Sequence, residues 1–256
     1  MKENLSHDPE MPAFLFDLDG TLIDSVYQHV LAWYEALEEM GLSLAVWRIH
    51  RRIGMSGGLF VQALGREIGH PVTDELAADL QQKHAAAYQR YGVGLRPLPG
   101  ASELLDQLSR AGVRYAIATS GRREVAEPSL KMLGVRPEIP VITRDEVKRA
   151  KPDPDLFLAA AQRLHVPITN AMVVGNSVWD LLAARRAGCL GVGVLSGGYG
   201  KEELERVGAY RVYQDAPTCS RTSTKSASAS GIEARSCFCI NSNENQDPFL
   251  LRLSRV

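Results

Sequence analysis

The densest chemistry in the sequence is Asp17-Leu18-Asp19-Gly20-Thr21, directly after the apolar run Ala13-Phe14-Leu15-Phe16. Two carboxylates two residues apart, where a strand runs into a loop, can share a cation while keeping separate tasks. Glycine lets the backbone turn sharply, and the Thr21 hydroxyl can tie that turn or a carboxylate in place. An Asp-Gly pair also makes a plain solvated turn, so these five residues alone leave both readings open. Three further groups follow in order: Thr119-Ser120-Gly121, Lys151-Pro152-Asp153-Pro154-Asp155 and Gly175-Asn176-Ser177-Val178-Trp179-Asp180. Singly they read as an N-cap, a surface lysine and a turn. Together they supply two acids, a hydroxyl, a lysine and another acid, which a fold could gather at one edge.

The elements that would gather them are legible as well. Short apolar runs recur at residues 115–118, 140–142, 171–174 and 190–195, with a weaker one at 210–213. Helical patterns alternate with them. Residues 102–111 carry Leu104, Leu105 and Leu108 on one side, with Gly112 just past the end. Asp153 reads as the N-cap of a helix through Phe157, Ala161 and Leu164, with Pro154 in its first turn. Residues 177–187 form another, ending at Gly188. Pro128 interrupts the pattern over 122–133, so that helix is expected to start near Pro128 or to kink there. Unbroken apolar strands alternating with helices predict a parallel sheet covered on both faces. The fold class is therefore α/β, a Rossmann-like doubly wound core whose strand ends form the ligand edge.

Residues 24–95 break the alternation. Val26, Val30, Trp33, Leu37 and Met40 recur at helical spacing before Gly41, and segments near 44–53, 58–68 and 73–91 continue the pattern, with Thr73 as an N-cap. This stretch predicts an inserted all-helical cap, leaving 13–23 and 96–215 as the catalytic core and 1–12 as a flexible leader. Residues 216–256 hold eight serines and three of the four cysteines without any regular period, and are expected to be disordered. Codons compatible with 217–229, read in another frame, spell Asp-Leu-Leu-Ala-His-Leu-Asp-Glu-Val-Gly-Ile-Arg, which has helical spacing. The tail is therefore expected to be a frameshift product.

Taken in sequence, the four motifs resemble those of the haloacid dehalogenase-superfamily hydrolases with a helical cap, of the phosphoglycolate phosphatase and β-phosphoglucomutase kind. The resemblance spans about residues 12–214. It implies that Asp17 is a nucleophile forming an aspartyl-phosphate and Asp19 the general acid/base. Thr119 would hold the transferring phosphoryl group, and Lys151 would neutralise charge on nucleophile and phosphate. Mg²⁺ would be held by Asp17, the Asp19 carbonyl and the last motif, through Asn176 and Asp180. Thr21, Ser120 and Gly121 would border the substrate from the core. Arg52, Gly54 and Ser56 would do so from the cap loop Arg51-Arg52-Ile53-Gly54-Met55-Ser56-Gly57.

The chemistry is coherent. A phosphate monoester dianion repels a carboxylate, so a metal and a lysine must first offset the charge. A carboxylate beside Mg²⁺ is a poor base, so a second carboxylate must move the proton. The expected activity is Mg²⁺-dependent hydrolysis of a small phosphate monoester of the phosphoglycolate or sugar-phosphate type. Related mutases carry an arginine where Gly57 stands, which favours hydrolysis over phosphoryl relocation; a phosphomutase is the alternative. The sequence departs from the family at Asn176, where an aspartate usually ligates the metal. That loss of charge should weaken Mg²⁺ binding and motivates a third reading, a catalytically weakened binding protein.

Composition narrows the partners. Twenty-nine bases against thirty acids give a net charge of −1, so nothing general attracts nucleic acid or an anionic membrane. The first ten residues are too polar for a signal peptide, no apolar run nears the roughly 18 residues of a membrane span, and the four cysteines lack paired spacing. The expected setting is cytoplasmic, as a monomer or weak homodimer acting on a small phosphorylated metabolite. Histidines 29, 50, 70, 84 and 165 lack metal-ligand spacing and are expected at the surface or in the core. Cys237-Phe238-Cys239 is not expected to bind metal.

Overall fold

The structure is a computed structural model and describes residues 12–69 and 72–216. Leader residues 1–11, tail residues 217–256 with their frameshift reading, His70 and the Cys237–Cys239 pair lie outside the described residues; Pro12 is buried, and Ala216, expected to begin the disordered tail, is buried in the core instead. Among the described residues, six parallel strands form one sheet: β1 (Ala13–Phe16), β2 (Tyr115–Ala118), β3 (Val141–Ile142), β4 (Ala171–Gly175), β5 (Leu190–Val194) and β6 (Ala209–Tyr213). Their order is β3-β2-β1-β4-β5-β6. Leu15 therefore lies between Ala116 on one side and Val173 on the other. The order reverses between β1 and β4, and reversal opens a crevice beyond the strand ends. The Asp17 and Asn176 motifs leave the sheet on either side of that crevice.

Alternation along β1 sends successive side chains to opposite faces. Phe14 and Phe16 pack with Leu104, Leu105 and Leu108 of α5 (Ala101–Arg110). Ala13 and Leu15 pack with Leu156, Phe157 and Ala160 of α7 (Asp155–Arg163) and with Ala183 and Ala184 of α8 (Val178–Ala187). Both faces of the central strands are thus covered, which is why those strands read as continuous apolar runs.

Helices α1 (Val26–Glu39), α2 (Val46–His50), α3 (Gly57–Ile68) and α4 (Asp74–Tyr91) are inserted after β1. They bury Val30, Trp33, Leu37, Phe60, Leu64 and Leu80 in a core of their own. Thr73 caps α4, its Oγ1 accepting from Leu76 N at 3.2 Å. Thr73→Ala should lower stability by about 1 kcal/mol in denaturant unfolding, the usual effect of a lost N-cap.

Two helix starts differ from expectation. The helix α6 (Arg123–Met132) begins five residues before Pro128 and runs through it. Pro128 cannot donate to the Glu124 carbonyl, but buried Ala126 and Leu130 on the same helix hold it against the core, so packing overrides one missing bond. At α7 the N-cap is Pro154, and no side chain caps it. Asp153 faces Arg149 and Arg186 at 4.0 and 3.7 Å instead. Among the described residues, no helix is long and apolar enough to cross a membrane.

Candidate active site

The β1 strand delivers Asp17 to the crevice. Its amide donates to Val174 O at 2.9 Å, so the last ladder contact with β4 fixes where the carboxylate emerges. The chain then turns tightly: Leu22 N donates to Leu18 O at 2.9 Å and Ile23 N at 3.1 Å. Gly20 sits in this turn with φ of +85°, and a Cβ there would lie 2.4 Å from Val26 Cγ2 and 2.5 Å from Asn176 Nδ2. Both the left-handed backbone and the close approach require glycine.

Asp17 is buried, and Lys151 is fully so. Lys151 Nζ donates to Asp17 Oδ1 and lies 2.9 Å from Asp180 Oδ1. The reading of Lys151 as a surface lysine is thereby corrected: it is an internal counter-ion to two carboxylates. Burial alone would lower its pKa, but Asp17 and Asp180 outweigh that and hold it above its ordinary value. Burial, with Asp180 adding repulsion, pushes the Asp17 carboxyl up to about 7 against the pull of Lys151. Asp180 caps α8, its Oδ2 accepting from Ser177 N at 3.0 Å and Ser177 Oγ at 2.6 Å. Both Asp180 oxygens therefore have protein partners.

Asp19 has different surroundings. Ser25 Oγ donates to its Oδ1 at 2.7 Å, His29 Nε2 lies 3.4 Å from the same oxygen, and Thr119 Oγ1 is 3.4 Å from Oδ2. Burial would raise the Asp19 carboxyl, but hydrogen bonding from His29 and Ser25 outweighs it and holds the group below its ordinary value. The two carboxylates of one motif are thus driven apart in acidity, one up and one down. Their partners differ as well: Asp17 faces the Lys151 ammonium, and Asp19 faces Ser25, His29 and Thr119.

The helical region closes over both. Gly54 O accepts from Ser120 Oγ at 3.0 Å, and Ser56 N donates to Lys151 O at 3.3 Å. Arg51 pairs with Glu203, while its carbonyl accepts from Tyr199 OH at 2.9 Å and Trp179 Nε1 at 3.2 Å. Between the inserted helical region and the strand ends lies a cavity of about 460 Å³, bordered by Asp17, Asp19, Thr119, Ser120, Gly121, Arg52 and Gly54 among others. Arg52 reaches it while paired with Glu67. Thr21 and Ser56 are buried behind its wall; Thr21 Oγ1 sits 3.4 Å from Asp17 Oδ2 and 2.9 Å from Asn176 Oδ1.

His29, His84, Trp33, Phe60 and Gln81 also face the cavity, which corrects the assignment of both histidines to surface or core packing. His84 is stacked on Trp33 with ring centroids 4.2 Å apart, and its Nε2 lies 3.2 Å from His29 Nδ1. Burial and the neighbouring His29 hold its pKa well below the ordinary value. The signal for this set was present: Ser25, His29 and Trp33 share one face of α1 at four-residue spacing.

The donors suited to a cation lie beside Asp17. The inward atom of the Asn176 amide is 3.0 Å from Asp19 O and 3.1 Å from Asp17 Oδ2. Oxygens about 3.0 Å apart match neighbouring ligands of an octahedral cation bound at about 2.1 Å, the Mg²⁺ geometry. Among the described residues, no three His, Cys, Asp or Glu side chains cluster as a metal site. A set of one carboxylate, one carbonyl and one amide oxygen fits a hard cation but offers it little charge.

The crevice chemistry and the sheet order define a class, and comparison with known proteins agrees. Residues 11–188 match the family described as haloacid dehalogenase-like hydrolase. The chain therefore belongs to that family and stands among its phosphatases. Hexitol phosphatase A of Escherichia coli is 35% identical over 181 residues, covering 69% of this chain and 79% of that protein. Phosphoglycolate phosphatase of Neisseria meningitidis is 33% identical over 199 residues, covering 75% and 83%. A crystal structure of a hydrolase from Pseudomonas syringae superposes with a TM-score of 0.78 at 53% identity, covering 80% of this chain and 94% of that one.

Proposed function

We propose that the chain hydrolyses a small phosphate monoester, of the sugar-phosphate or phosphoglycolate type, through a phosphoenzyme on Asp17. In this reading residues 13–23 and 96–215 form the catalytic core and 24–95 the cap. The observation that carries it is the pairing of a lysine-neutralised carboxylate, Asp17, with a separately hydrogen-bonded one, Asp19, at one cavity. Lys151 offsets the negative charge that would keep Asp17 and a phosphate dianion apart. Asp17 attacks phosphorus, and the bond from phosphorus to the leaving oxygen breaks. Asp19 relays to that oxygen a proton drawn from His29 in its protonated form, whose Nε2 lies 3.4 Å from Asp19 Oδ1. Asp19 then takes a proton from the water that attacks the aspartyl-phosphate and passes it back to His29, and inorganic phosphate leaves.

Thr119 and the Ser120 and Gly121 backbone border the phosphoryl position, and Arg52 and Gly54 border the leaving group. Mg²⁺ would be held by Asp17, the Asp19 carbonyl and Asn176, with Asp180 acting behind them through Lys151. When bound, it supplies positive charge that offsets the phosphoryl oxygens. The names of the relatives, a hexitol phosphatase and a phosphoglycolate phosphatase, support the substrate class.

The test is phosphate release from p-nitrophenyl phosphate with Mg²⁺ and with chelator, followed by a screen of phosphorylated metabolites. Release should need Mg²⁺ and fall by about a hundredfold or more in chelator. Equal rates in both would overturn the metal assignment, and isomer formation without net phosphate would replace hydrolysis with phosphoryl relocation.

A further inference from the structure

We infer that Asn176 is a two-position residue: its amide nitrogen turns into the carboxylate pocket when no cation is bound, and its oxygen turns in when one is. The inference rests on the metal site proposed above. The inward end of the amide meets three oxygens: Thr21 Oγ1 at 2.9 Å, Asp19 O at 3.0 Å and Asp17 Oδ2 at 3.1 Å. With oxygen inward, the Thr21 hydroxyl can donate to it, but a carbonyl and a carboxylate cannot. Two contacts then set acceptor against acceptor, an arrangement stable only around a cation. With nitrogen inward, all three oxygens lie within reach of its protons. The amide then links the strand-end loop to β4 in the cation's place.

The outer end of the amide faces only donors, so it too favours the nitrogen-inward state, and a bound cation must outweigh that contact as well. A half-turn about Cβ–Cγ swaps atoms of nearly equal size. The outer end of the amide lies against Gly20 and Gly197, where a Cβ would stand 2.5 and 2.1 Å from Nδ2, so the two glycines make its seat. Asn176 is only 3% exposed, so bulk water cannot satisfy whichever end is unpaired.

An aspartate at this position has no nitrogen state. Without a cation it would add a third buried carboxylate to the group that already holds Asp17 and Asp180 around Lys151. Asparagine therefore exchanges cation affinity for a stable cation-free chain. This goes beyond weaker Mg²⁺ binding, because it assigns the amide a structural task of its own when the cation is gone.

The experiment compares the full chain and Asn176→Asp by thermal unfolding at pH 8, in EDTA and across a MgCl₂ titration. In EDTA the variant should melt about 10 °C below the parent, as expected for an uncompensated buried charge in a chain this size. At saturating Mg²⁺ the gap should close, and the half-saturating Mg²⁺ concentration should accordingly be about a hundredfold lower in the variant. A variant as stable as the parent in EDTA would overturn the inference and leave the metal site standing. Mg²⁺ that raises the melting temperature of neither protein would overturn the site itself. Should the variant not fold in EDTA, the parent is read by nuclear Overhauser contacts of the Asn176 side-chain amide, identified by its absence from the Mg²⁺-loaded variant. The amide protons should contact Thr21 in EDTA and the Gly20 and Gly197 α-protons in Mg²⁺. Contacts unchanged by Mg²⁺ would refute the exchange.

Discussion

Lys151→Ala is expected to destabilise the protein by about 3–5 kcal/mol and to lower turnover by at least about a hundredfold. The stability loss follows from full burial of the ammonium between Asp17 and Asp180. Its removal leaves two buried carboxylates facing each other without compensation. The catalytic loss follows from the same charge, which the phosphate dianion needs at close range. Acidification should recover part of the stability, because protonating either carboxylate relieves the repulsion. Urea unfolding at pH 8 and at pH 5, with turnover measured at pH 7, separates the two effects. Parental stability at pH 8 would show that the buried pair contributes nothing net, and parental turnover would remove Lys151 from the chemistry.

Asp17→Asn should abolish turnover, since no neighbouring group can form the phosphoenzyme. It should also abolish capture of a fluoroberyllate mimic of that intermediate. The stability effect has the opposite sign to that of Lys151→Ala. Burial and Asp180 raise the Asp17 carboxyl from 3.8 to about 7 in the folded chain, so between those values the native state holds the extra proton. Stability from this group is then fully present below about pH 4 and lost as pH rises through about 7. In chelator at pH 8 the ionised carboxylate is a burden that asparagine removes, while Lys151 keeps Asp180 as partner. The variant should therefore melt no lower than the parent under those conditions, and be inactive in all. Residual turnover above about one part in a thousand would point to a different nucleophile.

How much of this was legible in the chain depends on the range of the interaction. The strand at residues 115–118 and the helix capped by Thr73 fall where period and turn residues place them, because burial of one face and satisfaction of a helix end are local demands. The Asp17 motif, Thr119 and Asn176 could be nominated because each stands at a predicted strand end, and parallel strands bring such ends together, while Lys151 was placed only as a lysine before a helix start. Pro128 and Asp153 mark where local rules lost: apolar packing carries a helix through a proline, and an aspartate with cap chemistry is drawn off by arginines.

What the sequence determined by itself was the alternation of elements, the inserted helical region and the identity of the carboxylate motif. Only the tertiary structure decided that Lys151 is internal, that Ser25 serves Asp19 rather than its own helix, and that His29 and His84 face the cavity. The reason is distance along the chain. Lys151 meets Asp17 across 134 positions, and whether such a pair is buried depends on which strands become neighbours and how the helical insertion closes over their ends. No window of residues contains that information, whereas an apolar period is contained in every window that spans it.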